Sequence, residues 1–245
     1  MTISLLLEGL LYLDFAGGNG TEKENFSTLM ASSNTAATNS NIHWFWANAY
    51  IQIAKYNTFL DNIGNCPMDD TKKAAWSSEV KSLRAYFLFN LAFYYKDVPM
   101  PLTTLSVEEA NSISQTSQAD VYAQVENDLK DAIDILPTEY PSGEYGRFTR
   151  GAAKTLLSRL YLAQERWADA AKILKEVIDS KIYELDRRNG EESYDKLFQI
   201  GGEYSPEMIF CIMGVKDMYT THVINICILR QLMEDGISLH LTMNW

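Results

Sequence analysis

The stretch GAAKTLLSRLYLAQERWADAAKILKEVIDSKIYE, residues 151–184, decides the fold. Ala153, Leu156, Leu157, Leu160 and Tyr161 recur at the three- and four-residue intervals of one helical face. Gln164-Glu165-Arg166 breaks the pattern, and Trp167, Ala170, Leu174, Val177 and Ile178 resume it. Two amphipathic helices joined by so short a break must lie antiparallel and bury their stripes against each other. Working outward, Thr149 stands where the first of them needs an N-cap, and residues 138–148, with Pro141, Gly143 and Gly146, read as loop. Before the loop, Ser117-Gln-Ala-Asp120 is a cap signature for a helix carrying Val121, Val125, Leu129, Ala132 and Leu136, stopped by Pro137. A longer helix runs over about 70–95, apolar nearly all round, and is ended by Pro99 and Pro101. The run from Trp44 to Ile63 also has helical spacing, and Gly64 sits where a C-cap glycine is expected. Residues 14–43, with Gly17, Gly18, Gly20 and the polar run Ala31–Ser40, read as irregular backbone. Beyond Tyr183 the pattern weakens; Tyr194–Phe198 and Met208–Met213 suit a short helix and a short strand.

Successive helix pairs call for a test of repeats. The 34-residue tetratricopeptide template, placed on 151–184, puts its small, aromatic and alanine positions on Ser158, Tyr161 and Ala170. Its other key positions fall on Leu157, Leu174, Val177 and Ile182. A second unit fits if Arg84–Tyr95 and residues 118–136 are its two helices, separated by a long insertion. The expected fold class is therefore mainly α: tetratricopeptide-like helical hairpins in an α/α superhelix, with an irregular loop-rich face.

Composition excludes several functions. With 21 Lys and Arg against 32 Asp and Glu, the net charge is −11, and no basic stripe offers phosphate contacts, so nucleic acid is not an expected partner. The three histidines, His43, His222 and His240, and the three cysteines, Cys66, Cys211 and Cys227, show no metal-ligand spacing. No nucleophile elbow or phosphate loop occurs, and the adjacent carboxylates Asp69-Asp70, Glu108-Glu109 and Glu191-Glu192 point apart. The expectation is a non-enzyme without metal or cofactor. Ile3–Leu13 is interrupted by Glu8 and preceded by no basic residue, so it does not read as a secretory signal. Val223–Leu229 is too short to span a bilayer.

Aromatic residues make up 12% of the chain, and His43-Trp44-Phe45-Trp46 is their densest cluster. Two Trp two residues apart cannot share a helical face, so one packs inward while Trp44 meets the polar loop. Its face suits either core packing or stacking on a sugar ring. Arg84, alone on an apolar helix, reads as a buried ion-pair or carbonyl-bonding residue whose partner is not legible.

Trp46-Ala-Asn-Ala-Tyr-Ile-Gln-Ile-Ala-Lys-Tyr-Asn57 resembles the W-x-x-x-Y-x-x-I-x-x-x-N segment of SusD/RagB-type nutrient-binding lipoproteins. Leu83-Arg-Ala-Tyr86 and Lys96-Asp-Val-Pro99 are similar to that family's LRAY and GDVP signatures. Val121-Tyr122, Asp128-Leu129, Leu136-Pro137, Gly146-Arg147-Phe-Thr149, Leu157-Ser-Arg-Leu-Tyr161 and Trp167-Ala-Asp-Ala170 follow in the family's order, and Ser205-Pro-Glu-Met-Ile-Phe210 resembles a late strand. The likeness covers about residues 44–213. Lys96 departs from it, standing where the family has Gly.

The resemblance implies a helical protein on the outer surface of a Bacteroidota outer membrane, held there by a lipidated N-terminal cysteine, an anchor expected to be missing from this chain. Such proteins bind oligosaccharide or another nutrient and deliver it to a SusC-like TonB-dependent transporter without cleaving it. By the same analogy the ligand face draws on the 14–43 loop, which makes Asp14, Asn19, Asn34 and Asn41, with Trp44, the candidate ligand-binding residues. Family members are about twice as long, so the chain is expected to be a truncated member. Residues 1–213 are expected to form one helical-repeat region, and 214–245, where the family pattern is lost, an aberrant or disordered tail. The alternative is a cytoplasmic tetratricopeptide-like adaptor that binds peptide or protein.

Overall fold

The computed structural model describes residues 40–141, 143–144, 146–188, 190–197 and 202–210. Residues 49–211 form one compact unit; a second unit contributes only residues 40–48 to the described part. The expected tail at 214–245 lies outside the described residues.

The first helix, α1 (Ser40–Asn62), passes into a 3-10 turn at Ile63–Asn65. It begins four residues earlier than the sequence pattern indicates, so Ser40–His43 is helix rather than loop. Asp69 caps α2 (Asp70–Tyr95) by accepting from the Lys72 amide at 3.1 Å, and α2 buries Ala85, Leu88, Leu91 and Ala92. A two-residue strand β1 (Val98–Pro99) pairs antiparallel with β2 (Gln115–Thr116) across the insertion. Between them lies α3 (Val107–Ser112), which buries no residue and is held at its start by a capping box: Glu109 N–H donates to Ser106 Oγ and Ser106 N–H to Glu109 Oε2. Ser117 caps α4 (Gln118–Ile135), and Thr149 caps α5 (Arg150–Ala163). After Gln164-Glu165-Arg166 comes α6 (Trp167–Asp179), and then α7 (Ser193–Leu197). Met208–Phe210 is irregular rather than strand.

The helices stack in chain order, α2 on α4, α4 on α5, α5 on α6. Cross-links fix their antiparallel sense. Gln118 at the start of α4 donates to the Ala92 carbonyl near the end of α2, at 2.7 Å. Arg150 at the start of α5 reaches the Leu136 carbonyl at 3.1 Å, just past the end of α4. Lys154, early in α5, pairs with Glu176, late in α6, at 2.9 Å. The core runs through this stack: Leu88 and Leu91, then Val121, Val125 and Leu129, then Ala153, Leu157 and Leu160, all essentially inaccessible. Ser158, Tyr161, Ala170, Leu157 and Val177 are buried as the tetratricopeptide template requires, whereas Leu174 is 36% exposed. Leu174 is thus the template residue left partly open among the described residues.

The turn after α2 carries unusual backbone, and the first turn of α5 a close approach. Lys96 ends α2 at φ 69°, ψ −111°, a region that a side chain with a Cβ enters only under strain. This is the position where the family signature has Gly, so the departure falls on the residue whose backbone most needs glycine. Gly151, in the first turn of α5, lets the Tyr183 ring lie across the helix; a Cβ there would come within 2.3 Å of the Tyr183 oxygen.

Candidate functional site

Of the five residues named from sequence, the structure places two. Asn41 and Trp44 stand three residues apart near the start of α1, so both lie within helix rather than loop, and Trp44 is not at a loop–helix junction. Their side chains, and Asp14, Asn19 and Asn34 altogether, lie outside the described residues. In the same segment His43 is exposed, while Phe45 and Trp46 are half-buried.

The rest of α1 is a clamp. Tyr50 Oη donates to the Pro99 carbonyl at 2.7 Å, and Asn57 Nδ2 to the carbonyls of Pro101 and Thr103 at 3.0 Å each. Asp61 Oδ2 accepts from the Thr104 amide at 2.7 Å. Ile53, between them, is inaccessible. Burial raises the Tyr50 and Tyr56 phenols, Tyr56 to about 12, so both are neutral groups at physiological pH.

Arg84 completes the clamp from α2. Its guanidinium donates through Nη1 to Asn57 Oδ1 and to the Leu102 carbonyl, both at 2.9 Å, and through Nη2 to Asp128 Oδ2 at 3.1 Å. Arg84 and Asp128 are each about 95% inaccessible. Gln124 holds the other Asp128 oxygen at 2.9 Å. The buried ion-pair reading of Arg84 is correct, and its partners lie on α1, the insertion and α4. Asp97 accepts from the Gln118 amide at 2.9 Å, tying the same loop to the start of α4. Tyr50, Ile53, Asn57, Arg84, Asp97, Pro99 and Asp128, which are among the residues that carry the resemblance, thus build scaffold. They hold residues 97–104 against α1, and of the Arg84 guanidinium only Nε is buried without a hydrogen-bond partner.

Two surface clefts open elsewhere in the compact unit. One, of about 420 Å³, lies over α5 between α4 and α6, with Ile133, Leu157, Tyr161 and Ile173 among its lining and Lys130, Asp134, Lys172 and Glu176 around them. Beside it Glu126 accepts from Tyr161 at 3.0 Å, Arg166 at 2.6 Å and Lys130 at 2.7 Å. Burial alone would push the Glu126 carboxyl up, but these three donors outweigh it and hold it down at about 2. The other cleft, of about 210 Å³, is lined by Tyr140, Arg147, Tyr183, Ser205 and Phe210. Most of its polar groups are already engaged. Arg147 bonds Glu79 and Glu144 and lies 4.0 Å over the Tyr140 ring, and Tyr183 meets the Thr149 hydroxyl at 3.2 Å. Among the described residues, no group of three His, Cys, Asp or Glu is placed to hold a metal ion, and no helix is long and apolar enough to cross a membrane.

Residues 10–162 match the model of a family described as starch-binding, associating with the outer membrane. The chain belongs to this SusD-like family. Among curated relatives, SusD-like protein P25 of Formosa agariphila is 24% identical over 195 residues, covering 79% of this chain and 36% of its own. A crystal structure of a SusD-like protein from Bacteroides fragilis aligns with a TM-score of 0.68 at 30% identity, over 76% of this chain and 36% of that one. A laminarin-binding SusD-like protein aligns at TM-score 0.61 and 32% identity, over 67% of this chain and 36% of that one. The chain spans about a third of the length of the curated relatives it matches.

Proposed function

We propose that this SusD-like chain binds glycan at the outer face of an outer membrane and passes it to a SusC-like TonB-dependent transporter, binding the sugar without cleaving it. The observation that carries this reading is the family match across residues 10–162. That span takes in the polar stretch Ala31–Ser40 and the His43–Trp46 cluster together with the clamp that supports α1. An aromatic face beside amide and carboxylate side chains is the chemistry a hydroxylated ring requires: CH groups stack on the indole, and hydroxyls bond the amides. Trp44 is the proposed stacking residue, with Asp14, Asn19, Asn34 and Asn41 as hydroxyl-bonding groups. The laminarin-binding neighbour supports a glycan rather than a peptide.

The test is affinity electrophoresis of the purified chain through gels containing soluble starch, laminarin or another polysaccharide, with intact-sugar analysis after incubation. Retardation by at least one glycan, with the polymer left uncut, is expected. Unretarded migration in every gel by a chain that shows helical circular dichroism would contradict the proposal, as would release of shorter sugars.

A further inference from the structure

Where α2 meets α5, an arginine without a carboxylate stands on an aromatic surface. Along α2, Tyr86, Phe89 and Phe93 recur at intervals of three and four, and so form one stripe, with Tyr94 beside it. Phe89 is buried at the base of this stripe, whereas Phe93 is 47% and Tyr94 36% exposed. The rings brace one another. Phe89 and Phe93 have centroids 5.8 Å apart, and Tyr94 meets Phe93 edge to face at 5.0 Å. From α5, Arg159 brings its guanidinium 5.7 Å from the Phe89 centroid, over the ring. It also lies close enough to the Tyr86 and Tyr94 phenols to oppose the upward push that burial gives both. A guanidinium from one helix and two phenols from another thus share one exposed aromatic surface.

Arg159 is exposed and makes no hydrogen bond or ion pair among the described residues. Arg84, Arg147, Arg166 and Arg188 each hold a carboxylate, in a chain where acids outnumber bases 32 to 21. Contact with the ring strips part of the water from the Arg159 guanidinium, which strengthens its pull on an incoming carboxylate. Lys96 stands two residues beyond Tyr94, exposed and likewise without an ion pair among the described residues. It keeps a strained backbone, φ 69°, and strain of that kind gathers where a side chain is used. We propose that this α2–α5 surface binds an acidic polysaccharide, a uronate ring stacking on Phe93 and Tyr94 with its carboxylate on Arg159 and Lys96 adding charge at the edge. A uronate carries a flat CH face and a carboxylate on the same ring, which matches exposed rings beside a cation. An acidic peptide offers the carboxylate without the ring face. The net charge of −11 excludes general attraction of a polyanion, so binding has to come from local contacts. At about 0.15 M salt the overall repulsion is screened beyond about 8 Å, while a pair in contact survives. The surface is separate from the one assigned to Trp44, and the proposal does not depend on that assignment.

Calorimetric titration of the full chain at about 0.15 M salt tests it, with tetrasaccharides of galacturonate and of mannuronate, a glucuronate-containing tetrasaccharide, and the carboxyl-reduced counterpart of each. Saturable binding of at least one uronate is expected, with affinity at least tenfold lower for its carboxyl-reduced form. Arg159→Gln should weaken binding at least tenfold, Phe93→Ala about fivefold and Lys96→Gly a few-fold, with helical circular dichroism retained. Phe93→Leu, which keeps an apolar group on Phe89 but removes the flat ring, serves should Phe93→Ala unfold. Binding of none of the three uronates by the folded chain overturns the proposal, as does equal affinity for the carboxyl-reduced forms or for the Arg159→Gln protein. Equal affinity for an oligoglutamate of matching charge assigns the surface to acidic peptide and overturns the sugar. Uronate binding abolished by Trp44→Ala but kept by Arg159→Gln returns the ligand to the other surface and overturns it too.

Discussion

The α2–α4 pair and the α5–α6 pair solve the same packing problem by different means. The second is joined by three residues, Gln164–Arg166, and needs little besides its apolar seam, because so short a link leaves the helices no other arrangement. The first has the whole segment from Lys96 to Ser117 between its helices, and that segment must be told where to lie. The buried Arg84 supplies the instruction, bonding α1, the inserted loop and α4 at once. A buried ion pair is a poor source of net stability but a strong penalty on any arrangement that separates its members. The comparison teaches that short connections specify themselves, whereas long ones require a polar lock in the core.

The difference is broken most directly at Asp128. Asp128→Ala leaves the Arg84 charge buried without its carboxylate, and should cost about 3–5 kcal/mol in urea unfolding. The next largest effect is acid-induced. Glu126 titrates at about 2 in the folded chain against an ordinary 4.5, so its stabilising effect is complete above pH 4.5 and is lost as pH falls towards 2. Melting temperatures measured from pH 6 down to pH 2.5 should therefore fall less steeply in Glu126→Gln than in the wild type, provided the variant still folds. Lys96→Gly should stabilise the chain by about 1 kcal/mol by relieving the positive-φ strain, with Lys96→Ala giving no comparable gain. Smallest is Lys154→Met in the α5–α6 pair. Its partner Glu176 is well exposed, and the loss should stay under about 1 kcal/mol. A Lys154→Met effect as large as that of Asp128→Ala would remove the distinction between the two pairs.

What the sequence makes legible follows the same division. Caps act over three residues, so Ser117 and Thr149 announce their helices directly, whereas the Asp69 cap passes for an ordinary surface carboxylate. Buried positions repeated at helical spacing, such as Leu157, Tyr161 and Ala170, are equally plain. The capping box Ser106-Val-Glu-Glu109 is written in the sequence too, but α3 buries nothing and so lacks the apolar stripe that draws attention to a helix. The partners of Arg84 lie 27 and 44 residues away and cannot be read from periodicity. Likewise the two-residue pairing of β1 with β2 leaves no alternating pattern. Leu174 shows the limit of a template: the repeat correctly assigns it an apolar residue, but its exposure depends on whether a further helix follows. For the ligand site, sequence names Asp14, Asn19, Asn34, Asn41 and Trp44, and the structure describes the backbone of Asn41 and Trp44 alone, both on one helix whose later turns are clamped in place. The early part of the family signature, from Tyr50 to Pro99 with Asp128, resolves into that clamp, and those residues are distinct from the ones proposed to touch sugar.

The most direct test of the account is calorimetric titration of the full chain, and of Trp44→Ala, with oligosaccharides cut from the polysaccharide that retards it most. The account predicts saturable binding by the wild-type chain and at least a tenfold loss in Trp44→Ala, with melting temperature little changed. Equal affinity in the two proteins would contradict the assignment of Trp44, and the absence of any heat of binding from the folded wild-type chain would contradict the glycan-binding function itself.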